Sequence, residues 1–120
     1  MNNETVNSVL IDFKKFLNNT DGQIPTLTGE RRVGRRKSIT IHLNELFDGD
    51  EGRRAFLNWG FGFKSSNDLT DRELHNLWRW LSPRRNDDTG EWTIRAECVR
   101  TANLVMRALQ VEAGQQELLP

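Results

Sequence analysis

The segment RRVGRRK, residues 31–37, places five of the chain's 17 Lys and Arg residues in seven consecutive positions with no acid among them. Guanidinium groups present forked donors that match phosphate oxygens, and displacing counterions from a polyanion rewards such a cluster at low salt. Arg31, Arg32, Arg35, Arg36 and Lys37 are therefore the first candidate binding residues, for nucleic acid or for the acidic surface of another protein. The alternative is a solvated basic segment, or one paired inside the fold with Asp48, Asp50, Glu51, Asp87 or Asp88. Thirteen of the 17 basic residues are arginine, a bias toward planar, bidentate contacts. Arg84 and Arg85, and Arg53 and Arg54, extend the patch if the fold brings them round. Four tryptophans stand in a chain without tyrosine. Trp78 falls on an apolar helical stripe and reads as core. Trp80 falls off it, beside Arg79, Arg84 and Arg85, where an exposed indole can stack on a base or anchor a partner protein. Packing against the last helix through Trp92 and Ile94 is the other reading of Trp80. Trp59, with Phe61 and Phe63, reads as an aromatic cluster under a loop.

Catalytic chemistry has less to work with. His42 and Glu45 could ligate a metal but lack a recognised spacing. His75, between Arg72 and Arg79 on one helical face, could serve as a general acid or base in a small ribonuclease-like enzyme, or simply be exposed. Cys98 lies on an apolar stripe and reads as an inert core thiol. A single cysteine also builds neither an internal disulfide nor a four-cysteine zinc site, which fits a reducing compartment. GFGFKSS, residues 60–66, lacks the spacing of a phosphate-cradling loop. Neither metal nor cofactor is expected.

The elements that must position these side chains follow from periodicity. Val6, Val9, Leu10, Phe13 and Leu17 recur at spacings of three and four, which predicts an amphipathic first helix capped by Asn3 and stopped by the polar run from Asn18 to Gly22. Ile39, Ile41 and Leu43 alternate with Thr40 and His42, and three consecutive β-branched residues favour a strand. Paired with Ile24–Thr28, that strand makes a small β-hairpin or extended ribbon near residues 24–43 with the arginines at its tip. The competing reading is a helix capped by Ser38, with Ile39, Leu43, Leu46 and Phe47 on one face. A short helix is expected over Arg53–Asn58. Thr70 and Glu73 have the capping-box spacing, which predicts a helix over Asp71–Leu81 with Leu74, Leu77, Trp78 and Leu81 buried and Pro83 preventing continuation. The last helix is expected from about Glu91–Thr93 to Glu112, its stripe Ile94, Cys98, Ala102, Val105 and Leu109, its solvated side Arg100, Asn103, Arg107 and Gln110. Its linker from the preceding helix is too long for a standard helix-turn-helix motif.

At 120 residues, one mainly α domain is expected over 1–113, about four helices around a central C-terminal helix, with 114–120 as a flexible tail. The formal net charge is zero, so bulk charge argues for no partner and only its distribution can speak. No apolar run exceeds three residues, far short of a membrane span, and the polar start MNNETVNS lacks the character of a leader peptide. A cytoplasmic protein without membrane contact is expected.

Residues 53–81 carry a short helix, an aromatic-glycine turn, Lys-Ser-Ser and then Asp-Leu-Thr before an amphipathic helix. This order resembles a helical hairpin segment of small accessory and regulatory proteins of Mu-like phages and related mobile elements. The matching positions are Leu57, Phe61, Gly62, Ser65, Leu69, Thr70, Glu73, Leu74 and Leu81, in a segment that covers roughly a quarter of the chain. The resemblance implies a phage or mobile-element protein acting on DNA, RNA or a host factor, and it implies no catalytic residue.

Together these readings rank a non-catalytic protein that binds nucleic acid by phosphate-backbone contacts through Arg31, Arg32, Arg35, Arg36, Lys37, Arg84, Arg85 and Trp80. Second is an inhibitor or interaction module that engages a host or effector protein through the same basic loop and an exposed tryptophan. A ribonuclease-like enzyme using His42 or His75 is a distant third.

Overall fold

The computed structural model describes residues 3–62 and 65–118, with side chains for 4–62 and 65–111. The described elements are helices α1 (Asn3–Leu17), α2 (Gly29–Leu46), α3 (Asp50–Phe61), α4 (Asp71–Leu81) and α5 (Ala96–Leu118), with a one-turn 3-10 helix (Ser66–Asp68) before α4. Strands β1 (Arg84–Arg85) and β2 (Trp92–Thr93) pair antiparallel, Arg84 opposite Thr93 and Arg85 opposite Trp92. The fold is thus mainly helical with one small antiparallel ribbon, as composition and periodicity predict, but the ribbon joins α4 to α5 and is not formed by residues 24–43. Among the described residues, no helix is long and apolar enough to cross a membrane.

The largest departure is α2. It takes in the whole arginine run and the residues expected to form a strand, and it begins nine positions before Ser38. A helix gathers Ile39, His42, Leu43 and Phe47 on one side, where all four are buried. Burying one such aliphatic side chain is worth about 1.5–3 kcal/mol, whereas the helix penalty for a β-branched residue is a few tenths, roughly 0.5 kcal/mol. Packing therefore overrides the local preference of Ile39–Ile41. Thr40 donates from Oγ1 to the carbonyl of Arg36 at 2.8 Å, and Ile41 is left on the outer face, 57% exposed.

Between α2 and α3 the chain turns through Asp48 and Gly49, both at positive φ, and Gly52 packs on the carbonyl of Phe47, where a β-carbon would fall 1.6 Å from the oxygen. Helix α3 is longer at both ends than the expected Arg53–Asn58. Arg53, one of the basic residues considered for the patch, is instead buried, donating to Asn44 Oδ1 at 2.9 Å and Asp50 Oδ1 at 3.0 Å to lock this corner.

Helix α4 has the predicted bounds because its start is encoded locally. Thr70 N–H donates to Glu73 Oε1 at 2.8 Å and Glu73 N–H to Thr70 Oγ1 at 3.2 Å, and the helix ends at Ser82 in a left-handed conformation before Pro83. Buried Asn76 on α4 donates to the carbonyls of Leu17 and Asn19, satisfying the otherwise open C-terminal end of α1. The cap assigned to Asn3 and the place of Phe63 lie outside the described side chains.

Two tryptophans exchange the places expected for them. Trp80 is only 6% exposed, its ring 4.6 Å from that of Phe13 and 5.9 Å from that of Phe56, while Trp78 is half-buried on the opposite flank of the Leu74–Leu77–Leu81 stripe. Helices α1 and α3 cover the Trp80 flank, and α2 covers the other. Trp59 does sit in an aromatic cluster, 6.0 Å from Phe13 and 6.2 Å from Phe56. Helix α5 starts at Ala96, later than expected, because Trp92 and Thr93 are taken up by the ribbon. It packs against α1, α2 and α3 with Cys98, Ala102 and Val105 in the core and Arg100, Asn103, Arg107 and Gln110 in solvent.

Candidate functional site

Helix geometry decides where the arginines go. At about 100° per residue, Arg32, Arg35 and Arg36 share the side of α2 that carries Ile39 and Leu43 one to two turns later. The core does not extend that far, so these side chains lie over α4 and the 3-10 turn. Arg32 donates from Nε to Asp71 Oδ1 at 2.7 Å and from Nη2 to the carbonyl of Leu69 at 2.8 Å. Arg35 lays its guanidinium over the ring of Trp78, 4.0 Å from the centroid. Arg36 donates to Asn67 Oδ1. The run is therefore neither a loop nor a hairpin tip, and half of its purpose is to seat α2 on α4.

Pairing does not neutralise it. Among the described residues, Arg32 is the one member of the run within 4.0 Å of a carboxylate, and both side chains of that pair stay about one-third exposed. None of the internal partners considered for it, Asp48, Asp50, Glu51, Asp87 and Asp88, is in ion-pair contact with it. Arg31 and Lys37 are exposed and make neither a side-chain hydrogen bond nor an ion pair among the described residues. Asn67 and the Trp78 ring leave the charges of Arg36 and Arg35 intact.

Helix α4 adds to the same surface. Arg72, His75 and Arg79 fall at spacings of three and four, flanking Trp78. Arg72 donates to the carbonyls of Asp21 and Gly22, and Arg79 stands over the ring of Phe16, 5.6 Å from its centroid. The two helices meet where Arg35 of α2 lies over Trp78 of α4. The His75 imidazole is pushed below its ordinary value by partial burial and then by the positive charges of Arg79, Arg72 and Arg35. Arg35 in turn is lowered by burial and by Arg31. Arg35, Arg72 and Arg79 thus flank His75 and Trp78, and Arg31 lies one turn before Arg35 on α2.

The other predicted site residues are placed differently. Arg84 and Arg85 are exposed on β1, whose partner strand meets α2 through Trp92, 6.5 Å from the ring of His42. His42 lies roughly 16 Å along the α2 axis from Arg31 at 1.5 Å per residue, so the ribbon meets α2 at the end away from Arg31. Trp80, packed on Phe13 and Phe56 and only 6% exposed, is not the exposed indole its site assignment required, and that assignment is corrected. The exposed indole is Trp92, at 53%.

The catalytic candidates fare differently from one another. His42 is 5% exposed, and its Nδ1, without a hydrogen-bond partner, is 4.0 Å from Glu45 Oε2. Among the described residues no cluster of three or more potential metal ligands forms. The Cys98 thiol donates to the carbonyl of Trp80, and burial pushes it above the ordinary thiol range. It is a core thiol.

Sequence reasoning passed over Trp78 as a binding-face residue because its spacing matched the core stripe equally well. The i, i+3, i+7 pattern of Arg72, His75 and Arg79 was visible, but its merger with Arg31 and Arg35 depends on α2 being a helix laid across α4. No family model, no curated protein and no solved structure matches the chain.

Proposed function

We propose that this chain is a non-catalytic binding protein that holds nucleic acid by its phosphate backbone on the α2–α4 face. The observation that carries the reading is the gathering of Arg35, Arg72 and Arg79 around one imidazole, with Arg31 next to Arg35 and Asp71 engaged by Arg32. In a chain of zero net charge, four guanidiniums held on two packed helices are a preorganised set of phosphate donors. Arg35 is fixed by its ring contact and Arg72 by main-chain carbonyls, so little side-chain entropy is lost when a phosphate arrives. Contacts of this kind position a backbone and read little sequence. The resemblance of residues 53–81 to Mu-like phage accessory proteins supplies a context for such a role, a mobile-element protein acting on DNA or RNA.

Binding of a labelled duplex DNA, and of single-stranded DNA and RNA of the same sequence, tests it at two salt concentrations. Four phosphate contacts give a slope of log affinity against log salt of roughly −3 to −4. Arg31→Glu with Arg79→Glu abolishes binding while the melting temperature stays within a few degrees. Absence of binding at low salt to all three probes removes the reading.

One observation favours a second reading, engagement of a partner protein. Trp92 is more than half exposed beside Arg84 and Arg85, the aromatic-plus-arginine combination that anchors protein interfaces. A partner that co-purifies after nuclease treatment and is lost on Trp92→Ala selects this reading over the first.

A further inference from the structure

We propose that His75 is itself a binding residue of the α2–α4 face and takes up a proton as a polyanion docks, so that binding tightens in mildly acid solution. This rests on the nucleic-acid reading above. His75 sits at the middle of the face, half-buried, one turn from Arg72 and one from Arg79. The charges that act most on it are positive. Arg72 and Arg79 come from α4 and Arg35 from α2, with Arg31 behind Arg35. Asp71, the carboxylate at the start of α4, is engaged by Arg32. From the other elements around it, α1 supplies the ring of Phe16 beneath Arg79, and the stretch after α1 supplies main-chain carbonyls of Asp21 and Gly22 to Arg72, with the Asp21 carboxylate at that junction.

In the free protein this surrounding disfavours the protonated imidazole, holding it below its ordinary range. A phosphate laid across the guanidiniums reverses the field at the ring, because the charges that opposed protonation are then offset by an anion in contact. The protonated ring becomes one more donor to the phosphate chain. By linkage, one proton taken up on binding changes log affinity by at most one per pH unit, so a gain of roughly fivefold to tenfold is expected between about pH 7.5 and pH 5.5.

The test measures affinity of the full chain for a short mixed-sequence duplex DNA across that range at constant ionic strength, with His75→Gln and His75→Lys alongside. The wild type is expected to gain affinity on acidification, His75→Gln to bind weakly with little pH dependence, and His75→Lys to bind tightly at both ends. The chain has two histidines, so NMR titration of the wild type follows His75 directly with His42 as internal control. The expected result is a His75 pKa that rises when DNA is added. Binding of equal strength at all pH values, or a His75 pKa unmoved by DNA, overturns this inference and leaves the nucleic-acid reading standing. Absence of binding at every pH overturns both.

Discussion

The two halves of α2 present the same side to the rest of the molecule with opposite chemistry. In the C-terminal half, Ile39 and Leu43 have no exposed surface and face a core that includes Phe47 and Phe56. In the N-terminal half, Arg32, Arg35 and Arg36 lie over α4 and the 3-10 turn, held by a carboxylate, an indole and an amide. Aliphatic groups hold a helix by leaving water, which costs nothing in charge. Arginine holds one by laying its stem and planar head on a neighbour while its charge stays hydrated. The first arrangement supplies stability, and the second leaves a docked helix whose cations still face outward.

That contrast fails or sharpens under mutation. The largest expected effect is in the aliphatic half. Leu43→Ala opens a cavity at a fully buried position and costs about 2–5 kcal/mol in denaturant unfolding. A cost below about 1 kcal/mol would mean the core does not depend on this face. Next comes the turn that follows. Gly52→Ala drives a methyl into the Phe47 carbonyl and is expected to cost about 1–3 kcal/mol, with a lower unfolding midpoint as the readout.

In the arginine half the effects shrink. A double-mutant cycle on Arg32→Ala and Asp71→Ala should give a coupling of about 0.2–1 kcal/mol, because both partners are one-third exposed and solvent screens the pair. Lys37→Glu, at an exposed position without a partner, should leave stability within about 0.5 kcal/mol. A large loss there would show the basic half to be structural throughout.

The smallest effect is one of pH, and its sign follows from the direction of the His75 shift. The folded imidazole lies below the ordinary value of 6.5, so the unfolded chain takes up the proton first as pH falls. The stability His75 contributes is whole above that value and is lost as pH drops through the lower, folded one. Thermal midpoints of wild type and His75→Gln should therefore converge on acidification, and a wild-type protein that gained on the variant in acid would contradict the sign.

Legibility in the sequence followed how local each determinant is. Helix α4 was readable to the residue because Thr70 and Glu73 satisfy each other's main-chain groups within one turn. Helix α1 was readable because its apolar spacing admits one period. In α2, Ile39–Leu43 fitted both a strand and a helix, and the β-branched run tilted the choice toward the strand. What settles it is that α3, α4 and α5 all pack on α2, which no residue within the segment announces. The tryptophans show the same limit at finer scale. Trp78 and Trp80 flank one stripe, and which flank α1 and α3 would cover was open until they were in place. The binding face was half legible, with Arg31 and Arg35 named from density of charge. Trp80 was a misplacement, and Arg84 and Arg85 lie on the ribbon that follows α4.

By itself the sequence determined a mainly helical chain with zero net charge, a concentrated arginine run, a locally capped α4 and a buried thiol, because spacing, capping chemistry and composition act over a few residues. That the arginine run is a helix, that it rests on α4, and that Arg35, Arg72 and Arg79 converge on His75 came from long-range packing. Those outcomes depend on which surfaces meet, and burial energies summed over several helices outweigh the small preferences any single segment carries.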